Sequence, residues 1–69
     1  MTVGERIGFG TAIYWDYGKR RKFAMDHYAF AYRAYAEDRT EALRAEHEEH
    51  PEKFLRGYSP RTVEIHEVD

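Results

Sequence analysis

The spacing of apolar positions changes period twice along this chain of 69 residues. Between Arg6 and Trp15, Ile13 and Trp15 alternate with Tyr14 and Asp16, the two-residue period of a half-buried strand. Gly8 and Gly10 flank Phe9 and interrupt that pattern, which points to a bulge or a close backbone approach. Asp16-Tyr17-Gly18-Lys19 has turn chemistry: Gly18 can take a positive φ, and Asp16 can bond its own backbone. Lys19 to Met25 then returns as a second strand, with Arg21, Phe23 and Met25 on one face and Arg20, Lys22 and Ala24 on the other. The rival is a loop over 18–22 that leads directly into a helix at Phe23.

From Asp26 the period lengthens. Asp26 reads as a helix cap, and Ala29, Ala31, Ala34 and Ala36 raise helix propensity without adding bulk. Tyr28, Tyr32 and Tyr35, at i, i+4 and i+7, would share one helical face, with Phe30 and Ala34 forming a second apolar stripe. Asp38 and Glu41 have capping-box spacing, the mark of a kink or a fresh helix start. Residues 39–50 are helical by propensity, yet their only apolar members are Leu43, Ala42 and Ala45. Pro51 opens a short helix to Arg56, anchored by Phe54 and Leu55 and stopped by Gly57. Arg61 to Val68 is the cleanest strand, with Val63 and Ile65 inward and Thr62, Glu64 and His66 outward.

The expected architecture is therefore one α+β domain over 1–69. A small antiparallel sheet of about three strands, in ββαβ-like order, carries one or two helices on one face. A chain of this size buries only about 60% of the surface its unfolded form exposes, and with no cysteine it has no disulfide to staple it. It contains six tyrosines, and each hydroxyl needs a partner or water, so some belong at the surface. No apolar run approaches the roughly 20 residues of a membrane span, and no hydrophobic leader segment opens the chain. No membrane contact and a cytoplasmic location are the expectations.

Charge is sorted along the chain. Residues 1–35 carry a formal +3 and residues 36–69 a formal −5, giving the net −2. A small fold has no internal need for such sorting, whereas a partner does. Two candidate surfaces follow. The first joins the acidic Glu46, Glu48, Glu49 and Glu52 to Tyr28, Tyr32 and Tyr35: clustered carboxylates can occupy a basic groove, and tyrosine supplies contact area with a polar tip. The second joins Lys19, Arg20, Arg21 and Lys22 to Tyr14 and Tyr17, cations for phosphates and rings for bases. Each also has a plainer reading, as a solvated helix face and as a hairpin tip whose charges discourage edge pairing.

Catalytic and metal chemistry find little support. Ser59 is the only serine, and Gly8 and Gly10 lack the third glycine, the lysine and the helix start of a phosphate loop. His47 and His50 are three apart, where the helical zinc-protease motif needs four, and a third ligand such as His66 or His27 would have to arrive by folding. No catalytic residue, metal or cofactor is expected. The sequence points to a non-enzymatic binding protein, an inhibitor or adaptor of a protein partner, for instance one presenting a basic nucleic-acid-binding groove. A host-directed, anti-defence inhibitor of the kind phage and mobile elements encode is one example, by analogy with other tiny proteins. Nucleic acid bound through Lys19–Lys22 is the alternative, and a minor subunit or homodimer the third.

Overall fold

Gly18 takes a φ of 62°, and the chain reverses there as the turn residues ask. In the computed structural model, which describes residues 3–68, it joins β1 (Val3–Tyr17) to β2 (Arg20–Phe30). A helix α1 (Arg33–Glu49), a single 3-10 turn (Pro51–Lys53) and β3 (Ser59–Val68) complete the order. The sheet is antiparallel throughout, in the order β2-β1-β3, so the fold is α+β with one helix crossing over the central strand. Pro60 is tolerated in β3 because that strand lies at an edge.

The long central strand bends at its glycines. A Cβ on Gly8 would stand 2.9 Å from the Phe30 carbonyl oxygen, so only glycine allows β2 to come this close. Between Gly10↔Ala29 and Ala12↔Met25, two steps of β1 face four of β2, a bulge that places Asp26 to Tyr28 opposite Thr11.

The helix begins seven residues later than Asp26. Phe23 to Phe30 also alternates, and the ladder to β1 outweighs the few tenths of a kcal/mol per residue by which alanine favours helix. Tyr28 and Phe30 therefore lie on β2, Tyr32 precedes the first helical residue with extended backbone, and only Tyr35 is helical. The single tyrosine helix stripe does not form. Nor does a break at Asp38: α1 is continuous, and the short helix after Pro51 shrinks to one turn that leaves Leu55 exposed.

Faces are settled by three threonines. Thr11 on β1, Thr40 on α1 and Thr62 on β3 meet at hydroxyl distances of 2.9 and 2.8 Å. Thr40 also donates to the Ala36 carbonyl at 2.9 Å. A hydroxyl has one proton and two lone pairs, so Thr40 gives its proton to Ala36 and accepts from both neighbours, leaving nothing unpaired. The helix thus covers the face bearing Thr62 and Glu64, not the face bearing Val63 and Ile65. That reverses the expected inward set of β3. Alternation puts Gly10, Ala12, Tyr14, Phe23, Met25, Val63 and Ile65 on the opposite, uncovered face.

Little is sealed inside. Among the described residues the buried apolar side chains are Phe9, Ala12, Ala36 and Leu43. The unit measures 38 × 29 × 13 Å with a radius of gyration of 13.3 Å. A closed domain of this length would have about 11 Å. The protein is a flat slab with one clothed and one bare side.

Candidate functional site

In the aromatic half of the first predicted surface, Tyr32 and Tyr35 meet at the start of α1 while Tyr28 stands on β2. Tyr28, Tyr32 and Tyr35 are 48%, 66% and 57% exposed and flank the passage from β2 to α1 along the chain. The rings of Tyr32 and Tyr35 meet edge-on at 6.0 Å, and Tyr28 lies stacked near Phe30 at 6.4 Å. Arg39, one turn after Tyr35, spreads its guanidinium over Tyr28 at 4.7 Å. Arg39 is itself fixed by a two-pronged bond to Asp26, at 2.8 and 3.2 Å. That hydrogen bond, together with the positive charge, holds the Asp26 carboxyl below its ordinary value of 3.8 against the opposing pull of burial. The result is Tyr28 seated over the Arg39–Asp26 pair, with the Tyr32–Tyr35 pair at the start of α1.

The acidic half lies elsewhere. Glu46, Glu48 and Glu49 occupy the last turn of α1, and Glu52 the 3-10 turn after it. Tyr35 and Glu46 are separated by about 16 Å along the helix axis. The set therefore divides into two patches at opposite ends of one helix. Carboxylates at a helix C-terminus oppose the helix dipole, and in that last turn only His47 is basic. His50 lies between Glu49 and Glu52, at 3.8 and 3.7 Å. His47 packs instead on Phe54 and Tyr58, at centroid distances of 5.3 and 5.0 Å. Among the described residues, no three histidine, aspartate or glutamate side chains are grouped to hold a metal ion.

The basic hairpin divides between the faces of the sheet. Arg21 pairs with Asp16 at 2.9 Å and reaches over Tyr14 on the bare face. Lys22 lies over Tyr17, and cross-strand pairing with Trp15 puts it on the other face with Arg20. Sequence reasoning missed Arg61, which approaches the Tyr14 ring at 5.3 Å. Its position at i and i+2 with Val63 was the available signal. Missed too were the exposed Phe23 and Met25 of the bare face, and Ile7, which like Phe23 is 64% exposed and sits at an irregularity of β1 beside Gly8. One helix cannot clothe both sides of a sheet whose strands are apolar on both, and that arithmetic was open to inspection.

A fourth cluster was also missed. Arg6 and Arg33 lie over the Phe9 ring at 4.9 and 5.0 Å, and both approach Glu64, at 3.9 and 3.3 Å. His66 holds Glu64 at 3.0 Å through Nε2 and the Gly4 carbonyl at 3.2 Å through Nδ1. Both partners are acceptors, so both ring nitrogens donate at once only in the imidazolium. The bond to Glu64, then that to Gly4, raises the His66 pKa above 6.5, while His66 and the two arginines lower that of Glu64. The His66 contribution to stability is complete below pH 6.5 and is lost as pH rises through the raised value. An NMR titration should place the His66 midpoint above 6.5, and Glu64→Gln should return it toward that value. A midpoint unmoved by Glu64→Gln would exclude the pairing.

Among the described residues, no helix is long and apolar enough to cross a membrane. No protein-family model matches the chain, and neither a curated protein nor a solved structure shows significant similarity to it.

Proposed function

We propose that this chain is a small non-enzymatic binding protein that docks on a macromolecular partner, a protein, with Tyr28, Tyr32 and Tyr35 as its anchor. One observation carries the reading: Tyr28, Tyr32 and Tyr35 are 48%, 66% and 57% exposed on either side of the passage from β2 to α1, Tyr28 over the Arg39–Asp26 pair and Tyr32 against Tyr35. Exposed tyrosines offer large contact area at small entropic cost, the chemistry of interface hot spots. The acidic Glu46, Glu48, Glu49 and Glu52 end supplies long-range steering toward a basic groove, at some expense to the helix. Inhibitor or adaptor is the functional class. A host-directed inhibitor from a phage or mobile element, of the anti-defence kind, is its most specific form.

The two halves should separate kinetically. With the captured partner in hand, Tyr32→Ala with Tyr35→Ala should raise the dissociation rate ten-fold or more, since such anchors are worth about 1–2 kcal/mol each. Reversal of Glu46, Glu48 and Glu49 to Lys should slow association, and high salt should imitate it in the wild type. Binding that survives the tyrosine changes at full strength would remove these tyrosines from the interface.

A second reading has its own observation. Tyr14 is flanked by Arg21 and Arg61, at 5.7 and 5.3 Å, beside the exposed Phe23. Rings with guanidinium groups on an open sheet form a stacking platform for single-stranded nucleic acid. Affinity for a single-stranded oligonucleotide that falls steeply with salt and is lost in Tyr14→Ala would favour it.

A further inference from the structure

The bare side of the sheet needs a cover, and its size is measurable. The chain exposes 5462 Å². A folded monomer of 8.2 kDa would expose about 4,500 Å². The excess, roughly 900 Å², matches the share of about 800 Å² that one partner contributes to a standard interface. We infer that this face is covered by a second copy of the chain, sheet against sheet, in a two-fold dimer with a helix on each outer side.

Three arguments select a second copy as the occupant. The first is stability. Among the described residues the buried apolar side chains are only Phe9, Ala12, Ala36 and Leu43, and with no disulfide the lone chain is short of a core, so a cover adds stability. A second copy is made wherever the chain is made and needs no other product.

Charge comes next. On the bare face Arg21 is paired with Asp16 at 2.9 Å, so two such faces bring together far less like charge than two helix sides do. The helix side, with Glu37, Asp38, Glu41, Glu46, Glu48 and Glu49 exposed, would repel its own image.

Shape is the third. At one end of the sheet, reached from the bare face past Gly8 and Ile65, an apolar depression of ≈ 260 Å³ is lined by Ile7, Gly8, Ala29, Phe30, Ala31 and Ile65. At the other end Phe23 stands proud, 64% exposed beside Tyr14. A knob and a hole on one face are what an isologous contact uses twice. Sheets packed this way lie about 10 Å apart and share their inner side chains as one core.

The dimer would carry its two sets of tyrosines outward, free for the partner proposed above, and it stands or falls independently of that partner. Sedimentation of the purified chain near 50 µM, a concentration about fifty times the ~1 µM Kd of a modest interface, tests it. The expected mass is twice 8.2 kDa, with a melting temperature that rises with concentration. Phe23→Glu, an exposed site in the single chain, should yield monomers, and so, separately, should Ile7→Glu. Glu48→Lys on the helix should leave the dimer intact. A monomeric wild type at that concentration overturns the inference, whether or not it binds single-stranded nucleic acid through Tyr14. So does a dimer that resists both the Phe23 and the Ile7 substitution.

Discussion

Thr40→Val, which changes a hydroxyl to a methyl at almost constant volume, is expected to destabilise the protein by about 2–3 kcal/mol. At a fixed protein concentration, that corresponds to a fall of about 10–20 °C in the melting midpoint of so small a domain. The cost arises at the neighbours. Thr11 is fully buried and its hydroxyl bonds Thr40, so after the change it has lost that acceptor and cannot reach water. Thr62 is only half-buried and can turn toward solvent, which limits its share. An orphaned buried hydroxyl costs about 1–3 kcal/mol, more than the net worth of the bond it lost.

The same reasoning makes the triple variant the sharper measurement. Thr11→Val, Thr40→Val and Thr62→Val together remove donors and acceptors at once, so no orphan remains. The triple should be more stable than Thr40→Val alone, with most of the loss recovered. Additive losses across the three would show that the hydroxyls do not form one network. The network also fixes how α1 sits on the sheet, because one residue from each of α1, β1 and β3 meets at a single point. The outward-set tyrosines and the bare face both depend on that placement.

Those same threonines mark where the sequence stops being readable. The ββαβ order, the Gly18 turn and the Gly8 interruption follow from local rules: period, turn chemistry and close approach. Which side of β3 the helix covers does not, because Thr62 reads as polar and Val63 as apolar until Thr40 supplies the partner that makes a threonine a core residue. Asp26 misled for a similar reason. An aspartate before an alanine-rich run is a good cap in isolation, but the ladder to β1 carries the strand past it and Arg39, thirteen residues on, takes its carboxylate. The tyrosines were visible as surface candidates from their number alone, whereas their division between β2 and the start of α1 required the strand to run on to Phe30. The bare face was half legible: its residues alternate cleanly, but the missing second helix is a fact of topology.

The Arg39–Asp26 pair yields the other large effect, and pH dependence identifies its origin. The two partners are unequally enclosed, with 6% of the Asp26 side chain exposed against 29% of that of Arg39. Removing the arginine should therefore cost more than removing the acid. Arg39→Leu leaves a carboxylate with almost no access to water and should destabilise by about 3 kcal/mol at neutral pH, lost contact with Tyr28 included. Asp26→Asn leaves a guanidinium that can still turn to water, at about 1–2 kcal/mol. In the wild type the Asp26 pKa is held below 3.8, so the pair's contribution is present above that value and is lost as pH falls through the lowered one. In Arg39→Leu the cation is gone, and burial, the largest remaining influence, pushes the same carboxyl up against a smaller downward pull from His27. Its penalty then applies above the raised value and vanishes on protonation. The stability gap between the two proteins should accordingly narrow as pH falls from neutral into the carboxylate range, measured by urea unfolding at each pH. A gap that stays constant would assign the loss to packing of the arginine stem. Asp26→Leu combined with Arg39→Leu supplies the control: with no charge left to bury, it should lie closer to wild type than Arg39→Leu does at neutral pH, and its gap to wild type should stay constant until pH falls through the lowered Asp26 value, where the wild-type pair is lost.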